Sequence, residues 1–509
     1  MSLVAPPPPI CISREHHVAK AAPVPGWISV HPNLLMLLAI VMGAAYLRFH
    51  LLAYKSFWFD EGFSVGIARL DWPNFLHLLW LREANMALYY VLLKLWLTFG
   101  MNEFYVRALS VVFGLAAIPV VYALGKRLFG ARAGLSAALL LSINAFHVRY
   151  SQEARGYSLL VFLSALGSLL FVRCIESPTA RNWRLYTLAS VLIVYSHFYG
   201  VLVVAAHWLS FILLPRELRP SAPPLRWLRF FAYGTAPIAI FLCRAGAQPM
   251  NWLPRPNAAS IRYFFECLVG NGGYLLLGTY VLAWAAAAYA RLRSDRQQRW
   301  RYDLLFLWLV FPIAVVLGIS QFKSVFLARY LIVCLPASLL LAVAGISRLR
   351  LRVQAGILLV LTVLSVGRVF AYYQHDFDVY RDNWRAATQY VLANTEPGDG
   401  IFFYAGPGRM TFDYYRSLAG KPTTEPEVIY PSSGNRITYR DFLVSPLAEV
   451  LDDSRPQPRR VWLFLNQHRP GGRMDKGSEF VCAWYGKHYT LVSKHSIDGI
   501  DVLLYGNRH

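Results

Sequence analysis

The sequence predicts a mainly α-helical bundle of about 11 transmembrane helices, followed by a small α/β domain. Three observations support this fold class. Hydrophobic residues make up 56% of the 509 residues and charged residues only 15%, whereas a soluble chain carries about 25% charged residues. Long apolar runs recur as far as residue 372, and beyond it Gly, Pro and polar residues become frequent. A single soluble domain, a disordered chain and a coiled coil are therefore excluded.

The apolar runs have the lengths of transmembrane helices. A helix needs about 20 mostly apolar residues to cross roughly 30 Å of hydrocarbon, because it rises 1.5 Å per residue. The first run is too long for the core of a signal peptide. The predicted spans lie near residues 34–53, 108–124, 133–150, 159–175, 185–199, 201–214, 230–245, 274–289, 304–319, 330–346 and 353–372.

The distribution of charge predicts the topology. The net charge of +22 does not indicate a nucleic-acid partner, since charged residues are few and the Lys and Arg residues lie between apolar runs. Short cytoplasmic loops hold the excess of Lys and Arg. With a cytoplasmic amino terminus, every strongly basic loop falls on that side, provided that the short aromatic-rich segment 86–100 lies along the outer leaflet instead of crossing it.

The sequence divides into three predicted parts. Residues 1–32 contain a run of prolines and are predicted to be a disordered cytoplasmic tail. Residues 33–372 form the transmembrane domain, and residues 373–509 form a soluble extracytoplasmic domain. Within that last part, residues 382–394 have helical periodicity, and residues 400–404, 461–465 and 502–505 have the pattern of buried strands.

Two adjacent acids lie in an aromatic cluster of the first outer loop. Asp60 and Glu61 lie within residues 57–64, Phe-Trp-Phe-Asp-Glu-Gly-Phe-Ser. Neighbouring carboxylates are costly to desolvate together. Successive helical residues point about 100° apart, so we expect one acid to face a substrate and the other to support it. The alternative is an interfacial aromatic belt with both acids in water.

The second outer loop, residues 147–157, is dense in polar groups. Its candidate site residues are Gln152, Glu153, Arg155 and Tyr157. In the alternative interpretation, Glu153 pairs with Arg149 or Arg155 and only caps the helix ends.

Three further segments add candidates at the outer surface. A tight turn at residues 196–200 carries His197 and Tyr199, and Lys323 and Arg329 lie at the outer ends of predicted spans. A structural histidine and snorkelling cations are the alternatives.

Carboxylates and cations on one outer face indicate transfer from a lipid phosphate. Arginine binds phosphate in a bidentate manner, and a carboxylate either removes a proton from an incoming hydroxyl or holds a metal. A leaving phosphate already carries its charge. The site would therefore need to stabilise charge on the leaving oxygens instead of supplying a general acid.

The chain resembles a known family at these positions. The matching motifs are residues 58–61, 88–93, 125–130, 147–157 and 196–200. Together they resemble the bacterial branch of the dolichyl-phosphate-mannose protein mannosyltransferase-like enzymes. These are C-type membrane glycosyltransferases, and they include lipid A sugar transferases. The resemblance is good over residues 34–215, patchy to residue 372 and weak beyond.

The resemblance implies a function and roles for single residues. It implies sugar transfer from a polyprenyl-phosphate donor to a glycolipid, polysaccharide or protein acceptor, in the bacterial inner membrane with the site extracytoplasmic. Asp60 matches the first-loop acid of the family, whose roles are catalytic base or acceptor and metal contact, and Glu61 matches its partner. Glu153 matches the second-loop acid. Arg155 is placed to contact the donor phosphate, and Arg329 resembles a late-loop basic residue.

One departure from the family concerns the segment before residue 88. Many relatives have His-Pro-Pro-Leu-Tyr-Tyr where this chain has Asn85-Met86-Ala87-Leu88-Tyr89-Tyr90. Asn85 is therefore a substrate-binding candidate of open role. A divalent cation is the one cofactor candidate, with Asp60 and Glu153 as its ligands. The alternative function is a multi-span transporter or flippase of a lipid-linked or anionic substrate, although the acids lie at the surface and no internal repeat is found.

Overall fold

The computed structural model describes most of the chain. The described residues are 32–219, 225–245, 253–375, 382–404, 406, 408–420, 426–431, 437–442, 451, 458–465 and 475–507. The predicted amino-terminal tail, apart from Pro32, lies outside the described residues.

The part of the chain up to residue 375 is helical where it is described. Short 3₁₀ segments, Arg216–Leu218 and Ala328–Cys334, connect some of the helices. The α-helices are α1 Pro32–Phe49, α2 Phe59–Arg69, α3 Trp72–Leu81, α4 Ala87–Trp96, α5 Glu103–Phe129, α6 Ala131–Ser142, α7 Ala145–Ser151, α8 Tyr157–Glu176, α9 Ala180–Ser196, α10 Gly200–Ile212, α11 Leu225–Ala245, α12 Ala258–Leu268, α13 Gly273–Arg293, α14 Arg296–Ser320, α15 Leu335–Ile346 and α16 Leu351–Gln374.

Seven of the described helical segments are long and apolar enough to cross a membrane. They are α1, α5, α8, α13, α14, α16 and the segment Ala328–Ile346, and the bent pair α6–α7 would be an eighth. The chain is an integral membrane protein. The predicted number of about 11 spans is not confirmed, because α9, α10 and α11 do not reach the combined length and hydropathy of the others. As predicted, residues 86–100 contain only the 10-residue helix α4, which is too short to cross.

The predicted straight span at residues 133–150 is broken into two helices. α6 and α7 meet at 62°. Asn144 causes the break, since its Oδ1 accepts the amide of His147 at 3.0 Å and caps α7, while its Nδ2 donates to the carbonyl of Leu268 at 3.2 Å. The wholly buried α7 then leads directly into residues 152–156.

The carboxy-terminal part forms a sheet packed with helices. Its described helices are α17 Trp384–Asn394, α18 Gly408–Leu418 and α19 Lys476–His488. The described strands form one sheet in the order β2-β1-β3-β5-β4, with β1 parallel to β2 and β3, and β5 antiparallel to β3 and β4. The strands are β1 Asp399–Phe403, β2 Glu427–Tyr430, β3 Arg460–Leu465, β4 Tyr489–Ile497 and β5 Ile500–Asn507.

The sequence predicted the buried elements of this sheet and missed its edges. The predicted helix and the three predicted strands correspond to α17, β1, β3 and β5. The strands β2 and β4 lie at the two edges, where most of their side chains are partly or fully exposed. An edge strand needs no apolar run, so its sequence lacks the signal that marks a buried strand.

The carboxy-terminal part packs directly on α2. At Gly62, an added Cβ would lie 1.8 Å from Oγ1 of Thr411, so only glycine allows α18 to approach this closely. The amide of Phe57 donates to the hydroxyl of Tyr415 at 2.7 Å, and that hydroxyl also donates to Glu103. The helix that carries Asp60 is thus held between the membrane bundle and the carboxy-terminal α/β unit.

Candidate active site

The first turn of α2 separates the two adjacent acids. The helix begins after Trp58, whose amide donates to Oε2 of Glu61 at 3.4 Å. Both acids lie in the first turn, where the helix dipole favours negative charge. Glu61 is wholly buried, whereas one fifth of the Asp60 side chain is exposed.

Glu61 occupies the supporting position. Its Oε1 accepts from Nε of Arg107 at 2.8 Å, and its Oε2 accepts from Nη2 of the same arginine at 2.7 Å. The amide of Ala154 also donates to Oε1, at 2.9 Å. Both oxygens are occupied by protein donors, so Glu61 joins α2 to α5 and to the loop at residues 152–156.

The reasoning from sequence missed Arg107. Its Nη1 donates to the carbonyls of Leu52 at 2.8 Å and Lys55 at 2.7 Å, and its side chain is 1% exposed. A charged residue inside an apolar helix is rare and is usually paired. The position of Arg107 beside the apolar run of α5 was therefore an available signal.

Asp60 lies between two arginines from distant parts of the chain. Its Oδ2 is 3.9 Å from Nη2 of Arg155 and 3.5 Å from Nη2 of Arg329. These separations exceed good hydrogen-bond distances. Nε of Arg329 is buried and has no hydrogen-bond partner among the described residues. The guanidinium groups therefore keep capacity to bind a second anion.

Polar and aromatic groups surround the two guanidinium groups. Nη1 of Arg155 lies 3.2 Å from Oγ of Ser64 and 3.4 Å from the hydroxyl of Tyr90. The guanidinium of Arg155 lies 5.9 Å from the ring centre of Tyr157, and that of Arg329 lies 5.4 Å from the ring centre of Trp58. Aromatic faces stabilise cations at such distances, so this wall holds both arginines in place.

The turn after α9 closes one side of the site. Oδ1 of Asn85 accepts the amide of Phe198 at 3.1 Å, and its Nδ2 lies 3.5 Å from Nε2 of His197. The ring of His197 lies 4.8 Å from that of Tyr330, next to Arg329 in the chain. Tyr199 donates to the carbonyl of Val325. Asn85, His197 and Tyr199 thus join the linker before α4 to the segment that carries Arg329.

The remaining candidate residues, Glu153, Gln152 and Lys323, have three different surroundings. Glu153 is buried and its Oε1 accepts from Nε of Arg149 at 3.1 Å, the pairing that the sequence left as an alternative. Gln152 donates to the carbonyls at the end of α1, at 2.9 Å for Arg48 and 2.8 Å for His50. The amine of Lys323 is partly buried and makes no hydrogen bond or ion pair within the described part of the chain.

A second carboxylate, which the sequence reasoning did not select, faces the same cluster. Glu83 lies in the linker between α3 and α4 and interacts electrostatically with Arg155, Arg82 and Asp60. Burial raises the pKa of Glu83 to about 7, although the two arginines oppose the shift, and the charge of Asp60 adds to it. Its place two residues before Asn85 was the available signal.

The predicted metal ligands lie in cationic surroundings. Among the described residues, no group of three or more His, Cys, Asp or Glu side chains lies close enough to hold a metal ion. Asp60 is flanked by Arg155 and Arg329, and Glu153 pairs with Arg149. These surroundings suit an anion and do not fit a divalent cation.

The helical membrane bundle with a small carboxy-terminal sheet domain has the fold of the C-type glycosyltransferases of known structure. Residues 86–241 match the family model described as dolichyl-phosphate-mannose-protein mannosyltransferase, so the resemblance seen in the sequence is confirmed. A search of the curated proteins finds no match.

Solved structures share the fold at low sequence identity. ArnT from Cupriavidus metallidurans in the apo state has a TM-score of 0.58 at 13% identity, over 92% of this chain and 97% of that one. ArnT bound to undecaprenyl phosphate gives the same values. The apo oligosaccharyltransferase of Archaeoglobus fulgidus has a TM-score of 0.50 at 12% identity, over 77% of this chain and 64% of that one.

Proposed function

We propose that the protein is a glycosyltransferase that moves a sugar from a polyprenyl-phosphate-linked donor to an acceptor at the extracytoplasmic face of the bacterial inner membrane. The acceptor would be a glycolipid, a polysaccharide or a protein. The observation that carries the proposal is the placement of Asp60 between Arg155 and Arg329, at separations of 3.9 and 3.5 Å. The Nε atoms of both arginines have no hydrogen-bond partner among the described residues. No observation here favours the transporter or flippase.

The donor phosphate would be held by the two arginines. Arg155 and Arg329 carry two positive charges against the single negative charge of Asp60. While Glu83 is protonated, one positive charge therefore remains for the phosphodiester of the donor. The amine of Lys323, which pairs with none of the described residues, lies on the segment leading to Arg329. Arginine is suited to this task because its fork matches two phosphate oxygens.

Transfer would be a single displacement with inversion. Asp60 accepts the proton of the acceptor hydroxyl, and the acceptor oxygen attacks the anomeric carbon as the bond from that carbon to the phosphate oxygen breaks. The phosphodiester carries one negative charge, and the departing phosphate monoester carries about −1.5 to −2 at pH 7. The arginines thus bind the transition state more tightly than the donor, because charge grows where they lie.

The proposal is tested with protein reconstituted into vesicles. The lipid-linked sugar that accumulates in a deletion strain identifies the donor to supply. We expect release of polyprenyl phosphate together with a glycosylated acceptor of inverted anomeric configuration, read by mass spectrometry and NMR, and neither product in empty vesicles. Movement of the intact donor across the bilayer without cleavage would instead establish the transporter.

Glu83→Gln is expected to remove a pH dependence of donor binding. With its pKa raised to about 7, Glu83 is protonated at lower pH and ionises as the pH rises through that value. Its negative charge then competes with the donor phosphate for Arg155. The KM for the donor in the wild-type protein should rise severalfold between about pH 6 and pH 8, whereas the Glu83→Gln variant should keep the low-pH value throughout.

A matched variant tests whether this effect is local. Glu266→Gln removes a carboxylate that pairs with Arg262 at 3.5 Å on α12. It should leave the pH profile as in the wild type. If Glu83→Gln also leaves the rise in KM unchanged, Glu83 is not the titrating group.

A further inference from the structure

A basic cavity lies at the opposite end of α5 from Asp60. α5 has 27 residues and is therefore about 40 Å long; Arg107 near its start contacts Glu61, and Leu128 near its end lines the cavity. The volume is about 400 Å³, within the range of ligand pockets, roughly 300–1,000 Å³. The described ends of five helices surround it, namely α5, α6, α14, α15 and α16.

The cavity is positively charged, with hydrogen-bond donors left over. Three arginines line it, Arg132, Arg301 and Arg348, and its described lining contains no Asp or Glu. Nη1 of Arg301 donates to the carbonyl of Leu128 at 2.9 Å, while its buried Nε has no partner in the described part of the chain. Arg132 is exposed, and its guanidinium forms no hydrogen bond or ion pair with described residues.

The backbone adds to the positive potential. The helices α6, α14 and α16 all begin at this end, and their N-cap residues Gly130, Asp295 and Arg350 make no side-chain capping hydrogen bond. Their first turns line the cavity through Ala133, Gln298 and Gln354. The dipoles of these helices therefore add positive potential at the cavity. The amides of Gln298 and Gln354 themselves donate to the carbonyls of Asp295 and Arg350, so the helix dipoles, and not these two amides, contribute.

An apolar surface continues from the cavity along the outside of the bundle. Leu358 of α16 lines the cavity. The same helix exposes Leu351, Val353 and Leu359 at 58%, 48% and 64%, and only 17% of its apolar stretch is buried. A soluble phosphate would not use this surface, but the acyl chains of a lipid would cover it.

We propose that this cavity binds the phosphate headgroup of an anionic phospholipid whose acyl chains lie along α16. Basic pockets between transmembrane helices on the cytoplasmic side recognise such headgroups. The general excess of Arg in cytoplasmic loops orients the protein. It does not account for unpaired arginine donors gathered around one cavity, and a bound headgroup phosphate does.

The test measures binding of phosphatidylglycerol to delipidated full-length protein by native mass spectrometry. The double variant Arg132→Gln/Arg301→Gln should bind phosphatidylglycerol roughly 25-fold more weakly, at about fivefold for each arginine. Arg132→Gln alone should weaken binding about fivefold. Because the exposed Arg132 guanidinium forms no hydrogen bond or ion pair with described residues, this single variant should fold normally and tests the proposal even if the double variant misfolds. Phosphatidylcholine, which carries no net charge, should bind the wild-type protein weakly.

A matched control removes the same number of positive charges from arginines that do not line the cavity. Arg296 and Arg352 are exposed at the starts of α14 and α16 and do not line the cavity. The Arg296→Gln/Arg352→Gln variant should retain wild-type affinity for phosphatidylglycerol. If both double variants lost the same affinity for phosphatidylglycerol, the proposal would be overturned, because binding would then reflect only the general attraction between the basic surface and anionic lipid. If the wild-type protein bound glycerol phosphate as tightly as phosphatidylglycerol, the proposal would also be overturned, because the cavity would then bind a soluble phosphate ester.

Discussion

Replacing Asp60 by Asn is expected to lower the turnover of the reconstituted protein by about 10²- to 10⁴-fold, the usual effect of losing a positioned base. Asn keeps the shape of the side chain and cannot accept the proton. The KM for the donor should stay the same or fall, because the variant no longer places a negative charge between Arg155 and Arg329. The measurement is initial rates against donor concentration in vesicles.

The separate effects on kcat and KM make this prediction specific. A merely structural defect would raise the KM or reduce the amount of folded protein, whereas loss of the base reduces kcat without raising the KM. The Glu266→Gln variant removes a carboxylate of α12, one that pairs with Arg262, and should turn over normally. Near-normal turnover of Asp60→Asn would remove Asp60 from the role of base.

The second large effect is expected on stability, at the buried pair of Glu61 and Arg107. Their side chains are 0% and 1% exposed, and two hydrogen bonds of 2.8 and 2.7 Å join them. Removing one partner leaves an uncompensated buried charge and should reduce the free energy of unfolding by about 3–5 kcal/mol. Glu61→Gln and Arg107→Met should each show this loss in thermal or denaturant unfolding of the purified protein.

A double variant and an exposed pair provide the controls. Glu61→Gln/Arg107→Met should lose less than the sum of the two single variants, since neither charge is then left alone. The exposed pair Arg127–Glu176 has side chains 39% and 35% exposed, so Glu176→Gln should reduce stability by about 1 kcal/mol or less. Similar small losses at both pairs would show that the buried pair does not stabilise α2.

Much of the fold could be predicted because burial in a membrane leaves a local mark on the sequence. A transmembrane helix is an uninterrupted apolar run, which is why α1, α5 and α8 lie where the sequence predicted them. The prediction was incomplete where the length of an apolar segment does not by itself show whether the segment crosses the membrane as one straight helix. The predicted number of about 11 spans is not confirmed, because α9 to α11 do not reach the length and hydropathy of the other spans. The bend between α6 and α7 depends on hydrogen bonds of Asn144 to His147 and Leu268.

The candidate site could be predicted in part from the types of residue present in the loops between apolar runs. Asp60, Arg155 and Arg329 were all selected, and they lie together in the structure. Glu83 and Arg107 were missed. Their positions near other candidates or beside an apolar run were signals, but the partners that give them their roles, Arg155 and Glu61, come from segments that only folding brings close.

The sequence by itself determined that the protein is a helical membrane protein with a terminal α/β unit, and which family its motifs resemble, because apolar length and motif order are properties of the linear chain. Only the tertiary structure decided that Asp60 faces the arginines while Glu61 is buried against Arg107, and that Glu153 pairs with Arg149. Successive side chains on a helix diverge by about 100°. Their partners come from segments up to 269 residues away, from Asp60 to Arg329, and that distance in the chain is closed only by folding.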